Sequence, residues 1–151
     1  MSMQQCMHQT LKELNENQRK LTEFTFAVHL DYEFPGEVNL VNQVLMSNND
    51  EVEVALFHSL RFADPSYEQE ASEMDIVATM TTSADTCRVE SSIRAHLGFP
   101  FDDDRRGTHV LHHSVTDNLI GDAALRTLGE HVNALCENRD FAARLGFTRR
   151  S

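Results

Sequence analysis

The stretch "EVEVALFHSLRF" (Glu51 to Phe62) puts Val52, Val54, Leu56, His58, Leu60 and Phe62 on one side of an extended chain. Glu51, Glu53, Ser59 and Arg61 fall on the other. A period of two sustained over this length describes a strand with one buried face. The rest of the chain can be read outward from it.

Upstream, "SNND" (Ser47 to Asp50) is a turn, and "EVNLVNQVLM" (Glu37 to Met46) is a less regular strand that follows a Pro35-Gly36 turn. Before that turn, "FTFAVHLDYEF" alternates again, with Phe24, Phe26, Val28, Leu30, Tyr32 and Phe34 interleaved with Thr25, His29, Asp31 and Glu33. This segment is expected to be a strand. From Gln4 to Thr22 the period is helical, with Met7, Leu11, Leu14 and Leu21 opposite a charged side.

Downstream, Asp64-Pro65-Ser66 opens an acidic connection, "SYEQEASEM", read as a short surface helix or a loop. "DIVATMTTS" and "CRVESSIRAHL" resume the alternation around a turn at Ala84-Asp85-Thr86. An amphipathic helix is expected over Asp117 to Glu137, capped by Thr116 or Asp117 and carrying Ile120, Ala124, Leu128, Val132 and Leu135 on its apolar side. "RDFAARLGF" then adds a last turn ending at Gly146.

These elements define an α+β fold in one domain, residues 1–151. It is an antiparallel β-meander of about five strands flanked by an N-terminal and a C-terminal amphipathic helix. Val41, Leu45, Ala55 and Phe57 fall on the side of the sheet opposite the clean apolar face. Either the two helices cover opposite faces, or one face meets a second chain. A homodimer formed through the sheet is the more economical expectation.

The chain carries a net charge of -11, and the acid is concentrated. Asp31 to Asp104 holds sixteen Asp and Glu against Arg61, Arg88 and Arg94. Such a field repels phosphate backbones and suits a protein partner with a basic surface, although acidity also serves solubility. No apolar run is long enough for a membrane span, and "MSMQQCMHQTLKEL" lacks the apolar core of a signal peptide. Cys6, Cys87 and Cys136 form no CxxC pair, which suits reduced thiols and a cytoplasmic setting.

The densest collection of reactive groups is "FDDDRRGTHVLHHS" (Phe101 to Ser114), expected to link the last strand to the C-terminal helix. In a helical turn, His109 would meet His112 and His113; in an extended chain, His109 and His113 would share a face. Asp102, Asp103 or Asp104 could supply an oxygen ligand. The plainer reading is a polar loop, or a sixth strand, anchored by Val110 and Leu111. His58, on the apolar face, is either a catalytic base with a perturbed pKa or, more plainly, a neutral histidine with one hydrogen bond in the core or at an interface. No GxSxG, Walker or GxGxxG pattern is present, and no cofactor beyond a divalent metal is suggested.

The leading expectation is therefore a non-enzymatic, acidic protein-binding module of chaperone, adaptor or inhibitor type, with His58, Phe57, Val41 and Leu45 as its binding residues. In size, acidity and a terminal amphipathic helix it is similar to bacterial type III secretion chaperones, although the long meander departs from their element order. The alternatives are a metal- or His-dependent enzyme built on His109, His112 and His113, and a sheet that binds a small apolar ligand.

Overall fold

The computed structural model describes residues 3–48, 52–63, 72–98, 106–120 and 122–150. Helix α1 (Met3–Asp31) leads into strands β1 (Glu37–Asn48), β2 (Val52–Ala63), β3 (Ser72–Ser83), β4 (Thr86–Leu97) and β5 (Gly107–Leu119). Helices α2 (Ala123–Cys136) and α3 (Phe141–Arg144) follow. The strands form one antiparallel sheet in the order β1-β2-β3-β4-β5. The architecture is the α+β meander read from the sequence, with the strands differently drawn.

The expected strand at Phe24–Phe34 is instead the end of α1, which runs unbroken to Asp31. The segment satisfies both periods. As a helix it extends the stripe of Leu14, Leu21, Phe24, Val28 and Tyr32, all buried, while Phe26 and Leu30 turn to solvent. No glycine or proline separates Thr22 from Phe34, so nothing stops the helix before Pro35-Gly36. Gly36 then takes the left-handed conformation that the turn requires (φ 79°).

The fifth strand comes from the other end of the chain. "GTHVLHHSVTDNL" pairs with β4 as an edge strand, so the loop expected over Phe101–Ser114 is extended from Gly107 onward. Two bulges break its alternation. Leu111 is inserted where Ile93 faces His112 and Arg94 faces Val110, and Asp117-Asn118 sit opposite Arg88. Asn118 is left-handed (φ 60°). Thr116 and Asp117, expected to cap the last helix, are thus strand residues. Asp122 takes the N-cap position, and Ile120 lies outside the helix, exposed.

Both long helices lie on the same side of the sheet. Helix α1 crosses β1 and β2, and α2 crosses β3, β4 and β5, with α1 and α2 touching each other. The core between them takes Leu56 and Leu60 from β2, Met74 and Ile76 from β3, and Val89 and Ile93 from β4. It takes Leu21, Val28, Leu128 and Leu135 from the helices. Burying each such side chain contributes about 1.5–3 kcal/mol.

The C-terminal segment closes the end of this layer. Phe34, Phe62 and Phe147 form an aromatic triad with centroids 4.9–5.6 Å apart. The Arg150 amide donates to the Asp31 carbonyl at 2.7 Å, satisfying an acceptor that the helix end leaves open.

Candidate binding face

In an antiparallel pair, residues directly opposite each other share a face, so the register fixes what the uncovered side of the sheet carries. Its rows run across the strands. One is Asn39, Arg61, Glu73, His96 and Thr108; the next adds Val41, Ser59, Asp75, Arg94 and Val110. A third is Gln43, Phe57, Val77, Ser92 and His113, and a fourth runs Leu45, Ala55, Thr79, Glu90 and Val115. Apolar side chains thus occupy the middle of the face, and charged groups stand at its two ends.

Phe57, Val41 and Leu45 lie on this face as the alternation predicts. Phe57 and Val41 are half-buried by their neighbours, and Leu45 is 51% exposed. The sequence reading missed Val77, Val110 and Val115. Val77 sits within a correctly identified strand, on its polar side; the other two belong to β5, which the sequence offered only as an alternative to a loop. At the far end of β1, Val44 and Met46 reach past the cover of α1 and are also exposed.

The charged ends are paired. Arg61 Nε donates to Glu73 Oε2 at 3.0 Å, and His96 Nε2 stands 3.5 Å from Asp75 Oδ2. At the opposite end Arg88 bridges Glu90 and Asp117, at 3.1 and 3.5 Å, and His113 Nε2 lies 3.4 Å from Glu90. Arg88, Glu90 and Asp117, with Thr79, Thr81 and Glu53, line an open depression of about 660 Å³. Its walls are hydroxyls and ion pairs, which do not suit an apolar ligand.

The three histidines of the former loop are dispersed. The bulge at Leu111 shifts the register, so His109 and His112 take the helix-covered side and His113 the open side. The extended-chain pairing of His109 with His113 is replaced for this reason. Asp102 lies outside the described residues, as does the acidic connection 64–71. Among the described residues, the group whose ligand atoms converge is Glu73, Asp75 and His96, all within 4.8 Å of one another.

His58 faces the helices, not the open side, and is fully buried. Its Nε2 meets Thr22 Oγ1 of α1 at 3.2 Å, its Nδ1 has no partner, and burial pushes its pKa down to about 4. His131 mirrors it from α2, with Nδ1 2.8 Å from Ser91 Oγ and Nε2 2.9 Å from Thr116 Oγ1. Burial, with His112 nearby, lowers its pKa as well. Ser91 and His131 have the spacing of a nucleophile and base, but both are buried against the core, with Thr116 taking the other ring nitrogen. The arrangement ties α2 to β4 and β5.

No protein-family model matches the chain, and no curated protein or solved structure is significantly similar to it. The likeness to type III secretion chaperones therefore rests on size, acidity and a terminal amphipathic helix alone. No helix among the described residues is long and apolar enough to cross a membrane.

Proposed function

We propose that this chain is a non-enzymatic protein-binding module that works through the open face of its sheet, and that it forms a homodimer across that face. The observation that carries the reading is the placement of both long helices on one side of the sheet. Among the described residues, it leaves Val41, Leu45, Phe57, Val77, Val110 and Val115 on the other side without a covering layer.

The dimensions suit a second copy. Five strands of about twelve residues span roughly 40 by 20 Å, or about 800 Å², at ordinary strand spacings. An interface of standard size buries about 800 Å² on each partner. The charges suit one too. Arg61, Arg88 and Arg94 stand among Glu53, Glu73, Asp75, Glu90 and Asp117, so the face is close to balanced while the chain carries -11. A two-fold axis through its apolar middle can set the arginines of one copy against the carboxylates of the other.

The surplus acid lies largely in the connections, Asp102 to Asp104 among them. A partner with a basic surface would engage the dimer there. The first test is light scattering coupled to size exclusion at micromolar concentration. A dimer is expected, converting to monomer in the Phe57→Lys, Val77→Lys double variant. A strict monomer in the unaltered protein would remove the sheet-to-sheet reading.

A further inference from the structure

We propose that Glu73, Asp75 and His96 form a site for a divalent transition ion, of the zinc class, at one end of the open face. Glu73 and Asp75 are two residues apart on β3 and so share a side of the strand, and His96 stands opposite Glu73 on β4. One ligand atom from each lies within 4.8 Å of the others. Zinc bonds of about 2.0–2.2 Å place neighbouring ligand atoms roughly 3–3.5 Å apart. His96 Nε2 and Asp75 Oδ2 are already at 3.5 Å, and the partly exposed Glu73 side chain can close the remaining distance.

The surroundings orient these ligands. Thr108 Oγ1 lies 2.9 Å from His96 Nδ1; with Nδ1–H donating to it, the Nε2 lone pair points at the carboxylates. Two lone-pair-bearing ligands so close together are favourable when a cation lies between them. A hydrogen bond to the distal ring nitrogen is also the usual support for a metal-bound imidazole. Arg61 holds Glu73 from its outer side.

A second, independent observation comes from Ser59, which faces Asp75 across β2 and β3. Its side chain is completely buried, yet Ser59 Oγ has no hydrogen-bond partner, and neither has the buried Asp75 Oδ1 beside it. The hydroxyl is near enough to favour the Asp75 carboxylate without making a well-formed bond to it. A doubly charged ion would supply the compensation these groups leave incomplete. One imidazole with two carboxylates suits zinc or manganese better than calcium, which takes all-oxygen sites.

The test is calorimetric titration of Zn²⁺ into the full chain, purified without a histidine tag and stripped with chelator. Saturable binding of one ion per chain is expected, with affinity reduced at least tenfold in His96→Ala and in Asp75→Asn. Thr108→Val should weaken binding by about tenfold through loss of the ring's support. His109→Ala with His113→Ala should leave it unchanged. Far-UV circular dichroism establishes that each variant is folded, and His96, on the open face, is the substitution best tolerated. Absence of saturable binding overturns the assignment. So does affinity unchanged in His96→Ala, loss confined to the His109, His113 variant, or tighter binding of Ca²⁺ than of Zn²⁺.

Discussion

The two faces of the sheet are built from the same strands and differ by a shift of one residue. On β3, Met74, Ile76 and Ala78 are fully buried beneath the helices, while Glu73, Asp75, Val77 and Thr79 between them are only half-covered. The helix side concentrates apolar volume, and its two buried histidines each tie a helix to the sheet, His58 to Thr22 and His131 to Ser91 and Thr116. The open side concentrates ion pairs around a modest apolar middle. Stability is therefore expected to reside on one face and recognition on the other.

The largest expected effect separates the two directly. Ile93→Ala, on the helix side, should cost about 2–5 kcal/mol of unfolding free energy in a urea titration, through lost burial and the cavity left behind. Val77→Ala, on the open side, should cost roughly 0.5 kcal/mol or less in dilute monomer, where that face is solvated, and more in the proposed dimer. A Val77→Ala cost approaching that of Ile93→Ala would show that the open face is covered in solution, and would strengthen the dimer reading.

The second expectation is a loss of stability in acid that originates on the helix side. Folding holds His58 neutral down to about pH 4, whereas in the unfolded chain it takes up a proton near pH 6.5. Its contribution is complete above pH 6.5 and declines as pH falls toward 4. The slope is at most about 1.4 kcal/mol per pH unit and the total about 3 kcal/mol. His112 and His131, whose pKa values are also lowered, act in the same sense. Asp75 opposes them, because a carboxyl whose pKa is raised in the fold is relieved when it is protonated. Urea midpoints at pH 7 and pH 5 should therefore differ, and His58→Leu should reduce the difference.

How far this contrast was legible in the sequence depended on period. The segment from Val52 to Phe62 has one dominant period, and its alternation placed His58 and Phe57 on opposite sides correctly. Phe24–Phe34 has two, because Phe24, Val28 and Tyr32 serve a helical stripe as well as an alternating one. The available signal was the missing turn: helix and strand cannot abut at Thr22 without a residue that breaks the helix. Strand β5 was legible only as an alternative to a loop, for a different reason. It is an edge strand with three histidines, and its bulges at Leu111 and Asp117-Asn118 interrupt the alternation twice. The converging group of Glu73, Asp75 and His96 was illegible because cross-strand register, not sequence spacing, brings His96 to β3.

A third substitution probes how the polar ties work. His131→Leu removes both hydrogen bonds of that ring and leaves the buried Ser91 hydroxyl without its partner, for an expected cost of about 1–3 kcal/mol. Adding Ser91→Ala to His131→Leu should recover part of it, since an absent hydroxyl needs no partner. Full additivity of the two substitutions in chemical denaturation would mean that the two groups do not act as a unit.

The smallest effect belongs to the open face and says most about its purpose. Arg88 bridges Glu90 and Asp117 with more than half of its side chain in solvent. Exposed pairs of this kind contribute about 0–1 kcal/mol and weaken as salt screens them. A double-mutant cycle of Arg88→Gln with Asp117→Asn should give a coupling within that range at low salt and less at 0.5 M NaCl. Such a result would leave stability without a claim on these charges, and selection for what the face meets would account for their balanced placement. A larger coupling that persists in salt would place the pair in a desolvated setting, and with both long helices on the far side that is the setting a second chain would provide.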